Sequence, residues 1–215
     1  MHPMVRLISL LAFSAVAVLA ANPTPSKTYR NPLVGGQSFA DPHVIKVGKT
    51  YYLYATTHTA GYDAYASTNL VDWEHKGQAF KDPRGGAWAP DVFHNAKGDG
   101  KFYLYYTDNI ADRKSNGPQK QIGVAVADSP LGPFVDQAVL ASDAIDAHLF
   151  RDEDAKFYLY YVDLFGGFKI RAQPMCDPLT KQGDTTIVIR PTEVWEKVSG
   201  HVTEGPFMLK RGGTY

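Results

Sequence analysis

Four acidic residues recur at one phase of this sequence. Asp41, Asp91, Asp146 and Glu204 lie 50, 55 and 58 residues apart, and each precedes an aromatic run by about ten residues. The runs are Tyr51-Tyr52-Leu53-Tyr54, Phe102-Tyr103-Leu104-Tyr105-Tyr106, Phe157-Tyr158-Leu159-Tyr160-Tyr161 and the final Thr214-Tyr215. Carboxyl groups in sets of two or three are the equipment for cleaving an acetal. One acid protonates the leaving oxygen while a carboxylate across the bond activates water, with about 6.5 to 9.5 Å left between them for that water. A third carboxylate beside the acid disfavours its ionisation and so keeps a proton available near neutral pH. Residues so distant in sequence need a fold that gathers equivalent positions of a repeat.

The elements around the acids supply such a repeat. After a Pro/Gly-rich segment over 21–38, strands are expected at Asp41–Val47, Thr50–Thr57, Ala64–Ser67 and Trp73–Phe80, rich in β-branched and aromatic residues and separated by turns such as Gly48-Lys49. The pattern returns from Gly85 to Leu140, again from Asp146 to Ile189, and a fourth time over Glu204–Lys210 and Thr214-Tyr215. Four strands per unit at roughly 40 to 50 residues mark a β-propeller blade. A β-sandwich would also show many short strands, but it gives no reason for an acid at one phase of every unit. The expected fold is therefore all-β, a propeller with about three and a half blades or fewer in this chain. The blades fall near 39–82, 85–140 and 143–200, and a fourth starts at 201–215. With the acid-bearing strand innermost, successive blades bring their carboxylates to one face of the axis.

Composition narrows the partner. The 215 residues carry 22 Lys and Arg against 22 Asp and Glu, so no global field favours nucleic acid or an anionic membrane, and a neutral polymer suits the surface better. Residues 1–20 read as a secretory signal: Arg6, an apolar run from Leu7 to Leu19, and Val18-Leu19-Ala20 as the cleavage site. That run is shorter than the roughly 20 residues of a spanning helix, so the expected address is extracellular, with the mature domain covering 21–215. Cys176 is the only cysteine, which excludes an intrachain disulfide within these residues and reads as a small buried apolar residue.

Individual residues around the acids have assignable chemistry. Trp88, in a glycine-rich approach to Pro90, offers an aromatic face for a sugar ring, although a core position suits it nearly as well. His43 and His148 stand two residues beyond their acids, on the same face of a regular strand, where they are structural or hydrogen-bond substrate. Asp41 before Pro42 would also suit an Asx turn, and Glu204 a solvated turn. Asp152-Glu153-Asp154 lacks the spacing of a calcium loop and reads as a solvated hairpin turn.

Phe39-Ala40-Asp41-Pro42, Trp88-Ala89-Pro90-Asp91, Ile145-Asp146 with Asp152 to Lys156, and Thr203-Glu204-Gly205-Pro206 together resemble glycoside hydrolase family 43, whose members are five-bladed propellers acting on arabinan, arabinoxylan and xylan. The resemblance covers residues 30 to 215. It implies Asp41 as general base, Glu204 as general acid, Asp146 as the residue that tunes the acid and orients the sugar, and inversion at the anomeric carbon. It implies Trp88 in the substrate pocket and gives Asp91 no proton-transfer role, leaving it structural or an acceptor lining the axis.

No cofactor is implied as a requirement. A structural calcium ion at the axis would rest on a fifth-blade histidine that these residues do not include, and the copies stop inside a fourth unit, as a fragment of a longer enzyme would. The expected activity is secreted hydrolysis of arabinofuranosyl linkages by a monomer, with cell-wall polysaccharide or oligosaccharide as substrate and neither nucleic acid nor membrane as partner. β-Xylosidase is the alternative within the class; a non-catalytic carbohydrate-binding or inactive propeller is the alternative outside it.

Overall fold

The computed structural model describes residues 28–29, 31–36, 38–111 and 119–215. The expected signal segment lies outside these residues. Among the described residues, twelve strands within the unit Asn31–Tyr215 form three antiparallel four-stranded sheets. The first joins β1 (Ala40–Val47), β2 (Thr50–Thr56), β3 (Gly61–Ser67) and β4 (Glu74–Lys81) in sequence order. The second joins β5 (Trp88–His94), β6 (Phe102–Asn109), β7 (Lys120–Ala127) and β8 (Val135–Ser142), and the third joins β9 (Ala144–Arg151), β10 (Phe157–Asp163), β11 (Lys169–Met175) and β12 (Thr186–Ile189). These are the blades of a propeller: β1 packs on β5, and β5 on β9. Among the described residues the only helical element is a single 3₁₀ turn at Trp195–Lys197.

The continuous aromatic runs are explained by burial on both faces. Successive side chains of a strand point to opposite sides. On β6 this sends Phe102, Leu104 and Tyr106 into the core with Tyr54, Tyr62 and Phe80 of the first sheet. Tyr103 and Tyr105 go the other way, to Ile122, Val124, Leu149 and Leu159 against the third. A central blade must be apolar on both sides, so its second strand cannot alternate with polar residues.

Tyrosine suits this layer because its ring fills the core while its hydroxyl can latch a neighbouring loop. Tyr54 donates to the carbonyl of Pro130, and Tyr105 donates to that of Pro178 at 2.6 Å. The two tyrosines occupy equivalent places in successive blades, opposite His43 and Asp91. Their acceptors lie in the matching loops Ser129-Pro130-Leu131 and Asp177-Pro178-Leu179 of the next blade. One glycine in these loops is obligatory: at Gly132 (φ 74°) a Cβ would stand 2.3 Å from the Ala79 carbonyl, where the Phe134 amide bonds at 2.8 Å.

Two expectations need correcting. Residues 204–210 are not a strand, because no described segment runs alongside to complete a ladder; the nearest to pairing is an isolated bridge between Arg211 and Thr214. Cys176 is exposed, because it lies one residue past β11 in the turn where its amide bonds the Thr180 carbonyl at 2.8 Å.

Candidate active site

Each innermost strand carries the same irregularity. Between Ala40 and His43, Trp88 and Asp91, and Ile145 and His148, two residues of the inner strand face one on its partner, so a β-bulge interrupts the ladder. The bulged residues Asp41, Ala89 and Asp146 all have positive φ, at 49°, 44° and 56°. Aspartate tolerates this left-handed region better than most residues. Gly205 (φ 63°) takes it in the fourth segment, where the local sequence Gly205-Pro206 parallels Asp41-Pro42 and Ala89-Pro90.

This register corrects the expected phase of Asp91. It is not the counterpart of Asp41 and Asp146, a place held by Ala89. Asp91 shares its phase with His43, His148 and Phe207, two residues on. The acid count missed the bulge because it measured distance to the aromatic run without asking which residues pair.

The bulge separates two sets of side chains that a regular strand would place on one face. One set forms the mouth. Asp41, Pro42, Ala89, Pro90, Asp146, Gly205 and Pro206 line a cavity of about 250 Å³, with His43, Asp91 and Phe207 behind them. Glu204 is exposed immediately beside Gly205 and acts electrostatically on Asp146, as does Asp41. The structure thus brings Asp41, Asp146 and Glu204 together from two sheets and the fourth segment.

Hydrogen bonds across the blades fix this mouth. The Thr56 hydroxyl donates to Asp41 Oδ2 at 2.8 Å and accepts from the Ala89 amide at 2.8 Å. The equivalent Thr107 hydroxyl accepts from the Asp146 amide at 3.1 Å. In the third blade Val162 has no hydroxyl, and the Gly205 amide turns instead to Asp146 Oδ2 at 3.2 Å. That substitution couples the Asp146 carboxylate directly to the residue after Glu204. Asp146 has its pKa pushed up to about 6: burial raises it most, the Gly205 amide opposes, and the charges of Glu204 and Asp41 raise it further.

The second set converges on the axis. His148 Nδ1 lies 2.8 Å and His43 Nδ1 3.2 Å from the same Asp91 oxygen, Oδ1. The far nitrogens face backbone carbonyls of the next blade: His43 Nε2 lies 3.1 Å from Val92 O, and His148 Nε2 3.3 Å from Met208 O. Both rings therefore spend both nitrogens on the protein, which leaves none free for a substrate hydroxyl. His148 is buried and its ring stacks on Phe207 with centroids 4.3 Å apart.

Trp88 is 43% exposed at the start of β5, outside the residues lining the cavity, and its ring is covered by the Lys120 ammonium 3.6 Å from the centroid. Lys120 also donates to the Gly86 carbonyl at 2.9 Å, and burial lowers its pKa against the opposing charges of Asp108 and Asp82. A sugar stacking on that face of the indole would have to displace the ammonium.

Among the described residues no group of three or more His, Cys, Asp or Glu side chains is arranged to hold a metal ion. The axial residues that do gather, His43, Asp91 and His148, already bond one another. They do not fit a directly coordinated axial cation. The expected solvated turn is also more tied down than its sequence suggests, since Asp152 takes Lys210 Nζ at 2.7 Å and the Tyr215 hydroxyl at 2.5 Å. Thr56, Thr107 and Lys120 escaped sequence reasoning. The first two had a signal, because Tyr54-Ala55-Thr56 and Tyr105-Tyr106-Thr107 close equivalent strands with the same residue.

Carboxyl groups brought to one mouth by the bulged inner strands of the first and third blades, with Glu204 beside them on the fourth segment, make this a propeller of the carbohydrate-cleaving class. The family model for glycosyl hydrolases family 43 matches residues 29–215, and the chain belongs to that family. It is 29% identical over 202 residues to a non-reducing end α-L-arabinofuranosidase of Bacteroides ovatus, covering 88% of this chain and 35% of that protein. It is 28% identical over 225 residues to a β-D-galactofuranosidase of Aspergillus niger, covering 92% and 60%. The relatives also include β-xylosidases and extracellular endo-α-(1→5)-L-arabinanases. The crystal structure of a thermostable family-43 glycoside hydrolase superposes with a TM-score of 0.74 at 34% identity, covering 86% of this chain and 64% of that one. The chain thus spans from about a third to under two thirds of the length of these relatives.

Proposed function

We propose that the protein is a secreted glycosidase that hydrolyses arabinofuranosyl linkages in arabinan or arabinoxylan with inversion at the anomeric carbon. The observation that carries this reading is that the shared bulge brings Asp41 and Asp146 to one cavity, while Glu204, next in the chain to its lining residue Gly205, acts electrostatically on Asp146. In the proposed reaction Glu204 protonates the leaving oxygen from the exposed rim. Asp41, oriented by Thr56, takes a proton from the attacking water, which adds to the anomeric carbon as the glycosidic bond breaks. Asp146 contributes its charge and position beside Glu204 and moves no proton.

Relatives named as an α-L-arabinofuranosidase and an endo-α-(1→5)-L-arabinanase support the sugar, and the apolar leader over 1–20 together with the extracellular arabinanase relatives supports secretion. A β-xylosidase reading is second, favoured by xylosidases among the same relatives. The test is release of pentose from aryl α-L-arabinofuranoside and aryl β-D-xyloside by the chain and by Glu204→Gln. The variant should lose about 100- to 10,000-fold in rate, more on the poorer leaving group. An unchanged rate removes Glu204 from the mechanism.

A further inference from the structure

The segment carrying Glu204 lacks strand pairing, yet it must hold its acid against Asp146. Upstream, the Thr203 hydroxyl donates to the Phe168 carbonyl at 2.8 Å; downstream, Lys210 bonds Asp152. Between these ties the segment meets β9 at two points. One is the bond from the Gly205 amide to Asp146. The other is His148, which bonds the Met208 carbonyl and stacks on Phe207 at an interplanar angle of 28°.

We infer that the Asp91–His148 pair is a positioning device that clamps the Glu204-bearing segment to β9. This rests on the role proposed above for Glu204, but not on the identity of the sugar. Proton accounting supports it. His148 faces an acceptor on each side, a carboxylate oxygen and a carbonyl oxygen, and a neutral imidazole has one N–H to give them. Only an imidazolium satisfies both.

Burial opposes a charge on the ring, but the hydrogen bond and charge of Asp91 outweigh it and hold the His148 pKa above its ordinary value. Asp91 is pushed up by burial. The charge of His43 and the bonds from His148 and the Leu149 amide bring it below the usual carboxylate range. The titratable groups facing His148 are Asp91 on β5 and Tyr160, its cross-strand partner on β10, with His43 of β1 on the far side of Asp91. A charged ring grips the carbonyl of residue 208 and presents a cation to the face of Phe207. Once neutral, it must surrender either Asp91 or Met208. The clamp is complete below the His148 pKa and is released as pH rises through it.

The experiment is a ring-nitrogen NMR titration of the ¹⁵N-histidine-labelled chain from pH 6 to 9, with hydrogen exchange at the Gly205 amide measured in parallel. The expected result is a His148 ring protonated at both nitrogens at pH 7. Gly205 exchange, corrected for its intrinsic pH dependence, should accelerate as that ring deprotonates. In Asp91→Asn and His148→Phe the acceleration should be present already at pH 7, by about 10- to 100-fold, the worth of a hydrogen bond to a charged group. In chain active on pentosides, Asp91→Asn should lower kcat and leave KM unchanged.

A singly protonated His148 at pH 7, or Gly205 exchange that ignores its titration, overturns the clamp. The wild-type titration decides this even where a variant fails to fold. A chain that releases no pentose sinks the hydrolase reading and leaves the spectrum and the exchange to judge the clamp alone.

Discussion

Asp146→Asn should make the protein more stable at neutral pH while impairing its proposed chemistry. The folded protein raises this carboxyl from its ordinary 3.8 to about 6. At about 1.36 kcal/mol per pH unit, ionising it in the fold costs about 3 kcal/mol more than in the unfolded chain. Between those two values the folded state binds the extra proton, so stability falls as pH rises from about 4 and levels off above about 6. Asparagine removes the charge and keeps an oxygen to accept from the Gly205 amide, so little is lost in exchange.

The variant should therefore gain about 1 to 3 kcal/mol at pH 7.5, which for a chain of this size is about 4 to 8 °C in Tm at the middle of that range. The gain should shrink toward zero at pH 4. Urea denaturation of both proteins at the two pH values measures it. A variant no more stable than the parent at pH 7.5, or a gain independent of pH, refutes the placement of this carboxyl among Glu204, Asp41 and low-dielectric surroundings. A gain in stability coupled to lost rate is the ordinary relation between a strained site and its fold.

The packing sets three further outcomes. Arg84→Met should cost about 3 kcal/mol in denaturant unfolding, because Arg84 holds the fully buried Asp108 and, at 3.0 Å, Asp136, and Asp108 already has one oxygen without a partner. Gly123→Ala should cost about 1 to 3 kcal/mol by the same measurement, since a Cβ there would stand 2.4 Å from the buried Tyr106 ring, which Arg84 and Asp136 also anchor. Thr107→Val should cost about 1 kcal/mol by orphaning the Asp146 amide, with a fall in kcat; the valine at 162 in the next blade makes gross misfolding an unexpected result.

Much of this architecture was legible in the chain. The aromatic runs marked the second strand of each blade because a strand buried on both faces cannot hide its composition, and the acids at 41, 146 and 204 marked the mouth. The register within the inner strand was harder to read. A bulge adds one residue without changing the residue types around it, so counting from acid to aromatic run gives Asp91 the phase of Asp41 and Asp146. The prolines held the answer: aligning Pro42, Pro90 and Pro206 places Ala89 opposite Asp41 and groups His43, Asp91 and Phe207. The axial role of the histidines was not legible, since it depends on which carbonyl of the next blade each ring meets. Nor was the rise in the Asp146 pKa, which comes from burial and from partners 58 and 105 residues away in sequence.

The most direct test of the central claim is time-resolved proton NMR of the first sugar released from an aryl α-L-arabinofuranoside. Asp41 acting as base on a water opposite Glu204 predicts the inverted anomer first, with the retained anomer appearing only by mutarotation. The retained anomer appearing first would make one of these carboxylates a nucleophile and contradict the account.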